Sequence, residues 1–169
     1  AAALAVARCS SSKSNTGGSS TPTGSTSPAT SSSPSSGGSS GGADTSASGT
    51  LTVWLQTDAQ TGWPNEVAAA TQAFNQKYPN VKVDVQYQTW ADHLTKLDSA
   101  LAATPPDVVE LGNTETTKYM ADGALTDITN DKSKFDTSST WLKGLADSVT
   151  FDGKLYGVPS YAGAGGVIY

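Results

Sequence analysis

The side chains able to do chemistry in this sequence are amides, carboxylates and indoles that fall just after strand-like segments. Gln56 and Asp58 follow the first such segment, with Trp63 shortly beyond; Gln86, Gln88 and Trp90 close the second. Gly112, Asn113 and Glu115 follow the third, and Tyr161 stands after Val158-Pro159. Carboxylates and amides exchange hydrogen bonds with hydroxyl groups, while flat aromatic faces cover apolar ring surfaces. Such a set suits a neutral polyhydroxylated ligand. A phosphate would call for Arg, Lys or a Gly-rich cradle, and none is placed there. Each residue also has a plain structural use. Asn113 reads first as a helix cap, Glu115 as a first-turn charge, Asp58 as a turn residue and Trp90 as helix core; Trp63 sits at a loop–helix junction.

Other chemistry is thin. His93, the only histidine, sits beside Asp92 and is expected on the solvated face of a helix, with no partners for a metal site or a catalytic triad. Glu110 and Glu115 could be read as the carboxylate pair of a glycosidase, but nothing else supports that use. The Gly163–Gly166 run reads as a bend or hinge. No cofactor is expected.

The elements that must position these residues alternate between strand and helix. Leu51–Leu55 alternates and runs into a polar loop. Pro64 and Glu66 mark a helix start, and Val67, Ala70, Phe74 and Tyr78 form its apolar stripe. Val81, Val83, Val85 and Tyr87 alternate with polar residues as a second strand. Trp90, Leu94, Leu97 and Leu101 mark a second helix with Thr89 as candidate N-cap. After Pro105-Pro106 comes a third strand, Asp107–Leu111, then a helix ending near Gly123. Trp141, Leu142 and Leu145 suggest another short helix, Asp152-Gly153 a hairpin turn, and Val167–Tyr169 a last strand. Alternating strands and helices imply a parallel sheet with right-handed crossovers. In such sheets ligands sit beyond the carboxyl ends of the strands, which is where the amide–carboxylate–indole set falls.

Composition narrows the function further. Within residues 10–49, 34 of 40 positions are Ser, Thr, Gly or Pro, too little apolar surface to offset chain entropy, so a disordered linker is expected. Residues 50–169 hold every Trp, Tyr and Phe and carry 8 Lys and no Arg against 11 Asp and 3 Glu. That acidic balance excludes a phosphate-dominated nucleic-acid binder. A single cysteine excludes a disulfide scaffold. Ala1–Ala7 is too short to span a bilayer but fits the tail of a secretory signal, and Cys9 follows at the junction with the linker. The arrangement of residues 1–9 resembles a bacterial lipoprotein signal, with Arg8 where such signals carry a small residue. The resemblance implies lipidation of Cys9, with the linker as a tether to the extracellular face of the membrane. The chain stops on an apolar strand just begun, which suggests a fragment lacking its C-terminal portion.

Five segments occur in an order that is similar to one family: Leu51–Asp58 (LTVWLQTD), Tyr78–Gln88 (YPNVKVDVQYQ), Pro106–Glu115 (PDVVELGNTE), Ala124–Ile128 (ALTDI) and Asp152–Ser160 (DGKLYGVPS). Together they resemble the N-terminal part of carbohydrate-type extracellular solute-binding proteins of bacterial ABC importers. The linker and the Glu110–Glu115 pattern look most like actinobacterial members for N-acetylglucosamine or chitobiose-type sugars. This resemblance implies an α/β, periplasmic-binding-protein-like (type II) fold of two lobes, of which residues 50–169 would be the N-terminal one. It implies sugar in the cleft, no enzymatic activity, and ABC permease subunits as partners. By that resemblance Gln56 and Asp58 match the family's loop after the first strand, Asn113–Glu115 the ligand-facing segment after the third, and Tyr161 the segment entering the hinge, with Gln56, Asp58, Trp63, Asn113, Glu115 and Tyr161 as the expected ligand-binding residues. The rival readings are a secreted glycan-active enzyme and a surface carbohydrate-binding or sensor module.

Overall fold

A computed structural model describes residues 2–6 and 45–162 of the chain. Its main sheet has five strands: β1 (Ala2–Val6), β2 (Gly49–Gln56), β3 (Val81–Gln88), β4 (Val108–Gly112) and β7 (Gly157–Tyr161), in the order β3-β2-β4-β1-β7. β2 pairs in parallel with β3 from Gly49↔Val81 to Gln56↔Gln88, and with β4 at Val53↔Val108 and Trp54↔Val109. The expected parallel strands are therefore present, at the centre of a mixed sheet. β1 runs antiparallel to both β4 and β7. Residues 2–6, part of the expected signal remnant, thus form a strand between β4 and β7. β7 is an edge, where Pro159 costs no ladder bond that a central strand would need.

Helices follow the parallel strands. β2 leads without a break into α1 (Thr57–Gly62), where the sequence suggested an open loop; Ala59, only 1% exposed, pins this extra turn. Trp63 (φ −145°, ψ 53°) separates α1 from α2 (Pro64–Lys77), because a residue preceding proline avoids the helical region. α3 (His93–Leu101) follows β3, and α4 (Thr116–Ala121) follows β4. The entry to β4 is fixed by Asp107, whose N–H donates to the Thr52 carbonyl at 3.0 Å while its Oδ2 accepts the Thr52 N–H at 2.8 Å.

One face of the sheet carries the larger core. Leu97 of α3, Val109 and Leu111 of β4, Tyr119 and Met120 of α4 and Leu125 bury together, with Trp54, Leu94 and Leu101 against them. Leu94, Leu97 and Leu101 keep their expected helical spacing, but Trp90 does not belong to the stripe. The helix starts three residues later than the pattern suggested, because Thr89 donates its hydroxyl to Asp92 Oδ1 at 2.6 Å and folds residues 89–92 into a turn. On the other face, α2 buries none of its residues fully and leaves a cavity of about 490 Å3 against β2 and β3, with Trp63 and Tyr161 in its lining.

Beyond α4 the chain forms a 3-10 turn (Thr129–Lys134), α5 (Lys143–Ser148) and a two-stranded ribbon, β5 (Thr150–Phe151) with β6 (Lys154–Leu155). The ribbon turns at Asp152 (φ 49°) and Gly153 (φ 73°), the two left-handed positions of the expected Asp-Gly turn. A smaller core of Ile128, Val149 and Leu155 lies under it. The expected lipidation site Cys9, most of the 10–49 linker, the Gly163–Gly166 bend and the Val167–Tyr169 strand lie outside the described residues. No described helix is long and apolar enough to cross a membrane.

Candidate functional site

The carboxyl ends of β2, β3 and β4 come side by side because the three strands are parallel neighbours, and each hands the chain to a turn or helix there. One chain of contacts crosses all three ends. Trp90 Nε1 donates to Asp58 Oδ2 at 2.8 Å, joining the turn after β3 to α1. His93 Nδ1 lies 3.0 Å from the Trp90 carbonyl oxygen, and its Nε2 lies 3.0 Å from Glu115 Oε2. That same Glu115 oxygen accepts the Gly112 N–H at 2.7 Å. The indole of Trp90 meets the His93 ring edge-on at 5.2 Å between centroids.

Two expectations are corrected by this arrangement. His93, placed by the sequence on a solvated face, is 3% exposed and bridges two loops. Trp90, placed in the core, is 40% exposed and presents its ring to solvent. The signal for His93 was available: it stands four residues before Leu97, on the same side of the helix. Glu115 precedes the first residue of α4 and makes no side-chain cap there, so its carboxylate serves the His93–Gly112 tie rather than the helix end. Asn113, half-buried, lies in the turn between Gly112 and Glu115 rather than capping α4.

A second group lies toward β7. Gln56 is 1% exposed; its backbone N–H donates to Glu110 Oε2 at 2.7 Å and its side-chain amide to the Glu110 carbonyl at 3.2 Å. Glu110 is 2% exposed. Among the described residues, Gln56 Oε1, Glu110 Oε1 and the Tyr161 hydroxyl have no hydrogen-bond partner that meets good geometry. Tyr161 packs edge-on against Trp63 at 4.8 Å. Its phenol is pushed above the ordinary tyrosine range, by burial first and then by the neighbouring Glu110 carboxylate, with Asp58 adding to the effect. Asp58 thus belongs with Trp90, His93 and Glu115, and Trp63 and Tyr161 with Gln56 and Glu110. Gln86 serves the sheet instead, taking the Trp54 Nε1–H at 3.0 Å and donating to Asp84.

Chemically, this end of the sheet offers one exposed carboxylate (Asp58), two indoles, a phenol and an amide. Among the described residues no cluster of three or more His, Cys, Asp or Glu could hold a metal ion. Glu110 and Glu115, the pair that hydrolysis would need, are each held in internal hydrogen bonds.

Residues 69–169, more than half of the chain, match the family described as bacterial extracellular solute-binding protein. The chain belongs to that family. Its members bind solutes and are not enzymes. The diacetylchitobiose binding protein DasA of Streptomyces coelicolor is 35% identical over 130 residues, 76% of this chain and 29% of that protein. The sugar-binding protein MalE of Xanthomonas citri matches in structure with a TM-score of 0.56 and 29% identity over 66% of this solute-binding chain and 28% of that one. The ABC substrate-binding protein Lmo0181 of Listeria monocytogenes, solved with cycloalternan, gives 0.54 and 29% over 63% and 27%. The chain therefore spans under a third of the length of these relatives. Its α/β architecture, with parallel strands flanked by helices, is that of the periplasmic-binding-protein-like fold.

Proposed function

We propose that this chain is part of the sugar-capturing component of an ABC import system and that its ligand is a chitobiose-type oligosaccharide. The observation that carries the reading is the 35% identity to a diacetylchitobiose binding protein, joined to a sheet end rich in indole, phenol and carboxylate groups. Asp58 and Asn113 would exchange hydrogen bonds with sugar hydroxyls, and Trp63, Tyr161 and the exposed Trp90 would cover ring faces. Gln56 and Glu115, both engaged internally, would shape the site from behind. Partners on this reading are the ligand and the permease subunits. The family is extracellular; lipidation at Cys9 and a tether through residues 10–49 would keep the domain at the outer face of the membrane, since several acyl chains hold where one does not.

Isothermal titration of the protein with diacetylchitobiose, N-acetylglucosamine and maltose tests the ligand. Preference for the first supports the reading; preference for maltose, or binding of none, overturns the chitobiose assignment. Mass spectrometry of the N-terminus tests the anchor, with an unmodified Cys9 counting against it.

A further inference from the structure

The residues expected to meet ligand stand on turns, and turns move unless something ties them down. Here one buried imidazole does so. His93 stands at the first position of α3 and touches two other segments through its two ring nitrogens. Nδ1 faces a backbone carbonyl, which only accepts, so Nδ1 carries a hydrogen. Nε2 faces Glu115 Oε2, the oxygen that already accepts the Gly112 N–H, and a single proton lies between them. Gly112 has to be glycine for this: a Cβ there would stand 2.9 Å from Glu115 Oε2 and 3.0 Å from its Cδ. The Trp90 carbonyl that His93 holds belongs to the residue whose indole holds Asp58.

We propose that His93 is a positioning residue for saccharide binding, locking the 112–115 turn through Glu115 and aligning Asp58 through Trp90 before the ligand arrives. The proposal rests on the carbohydrate-binding reading of these turns. It assigns Glu115 a supporting place, in which one carboxylate oxygen ties both Gly112 and His93. In Glu115→Gln, an amide oxygen at that place keeps the Gly112 N–H but can bond a neutral His93 only by accepting from Nε2, which takes the hydrogen away from Nδ1 and the Trp90 carbonyl.

The experiment measures diacetylchitobiose affinity and the 15N-edited ring spectrum of His93 in the wild type, His93→Ala, Glu115→Ala and Glu115→Gln. Expected are a slowly exchanging Nδ1–H in the wild type, losses of about tenfold or more in both alanine variants, and in Glu115→Gln a loss of affinity that comes with loss of the Nδ1–H signal. A loss in Glu115→Gln with the Nδ1–H unchanged would overturn the proposal, because the carboxylate itself would then be meeting the sugar. Wild-type affinity in His93→Ala would overturn it as well. Should His93→Ala not fold, the two Glu115 variants decide. If the wild type binds no saccharide, the carbohydrate reading is what fails, and the ring spectrum decides the tie on its own: no proton on Nδ1 refutes it.

Discussion

Single residues at the sheet end show how proximity converts ordinary side chains into specific devices. Gly112 is one. Its substitution by alanine would press a Cβ onto the Glu115 carboxylate and break the bonds to Gly112 N–H and His93; a destabilisation of about 1–3 kcal/mol is expected in urea melts. Tyr119 is another. It is 2% exposed and donates to Asp98 Oδ1 at 3.0 Å, with the Lys118 ammonium 4.4 Å above its ring. Burial, and next the Asp98 bond, raise its phenol above the ordinary 10.0. The folded state then holds this proton more tightly than the unfolded chain, so the contribution is complete below about pH 10 and falls away as pH rises beyond it. Tyr119→Phe is expected to flatten that alkaline decline in stability; an unchanged slope would place its source elsewhere. Neither partner set was legible beforehand, because Asp98–Tyr119 and His93–Glu115 are contacts between helices or between a helix and a turn, not neighbours in sequence.

Elements were more readable than contacts. The alternation of Val81–Tyr87 gave β3 directly, since a strand with one buried face has a period of two, and Asp152-Gly153 gave the ribbon turn, since its two residues tolerate positive φ. Leu94, Leu97 and Leu101 gave the buried side of α3. Leu97→Ala is accordingly expected to cost about 2–5 kcal/mol by leaving a cavity among Val109, Leu111 and Tyr119; circular dichroism melts measure it, and a loss well below that range would mean that the core closes over the gap. Starts of elements were harder. The α3 start was read too early because Trp90 is apolar and spaced correctly by chance, whereas Thr89 and Asp92 form a local turn first. α1 was missed because its residues are polar and its one buried side chain is an alanine.

On the scale of the molecule, the chain spans 29% of one relative's length, and on the sugar-capturing reading proposed above, closure around the ligand would draw on contacts beyond this sheet end. A ligand shifts an open–closed equilibrium only through contacts that differ between the states. This chain by itself is therefore expected to bind diacetylchitobiose at least about a hundredfold more weakly than the full-length diacetylchitobiose binding protein it resembles; comparable affinities in titration calorimetry would show that one sheet end suffices. The sequence by itself determined the α/β class, the acidic character that turns away phosphate, the order of strand and helix, and the placing of amides, carboxylates and indoles after the parallel strands. Those properties are local or compositional: periodicity, turn chemistry and charge act over a few residues or over the chain as a whole. Only the tertiary structure decided that Trp90 faces outward, that His93 is buried between two turns, and that Gln56 is tied to Glu110 and Glu115 to Gly112 and His93. The reason is geometric: strands distant in sequence become neighbours when the sheet forms, and only then can one residue's donor find another's acceptor.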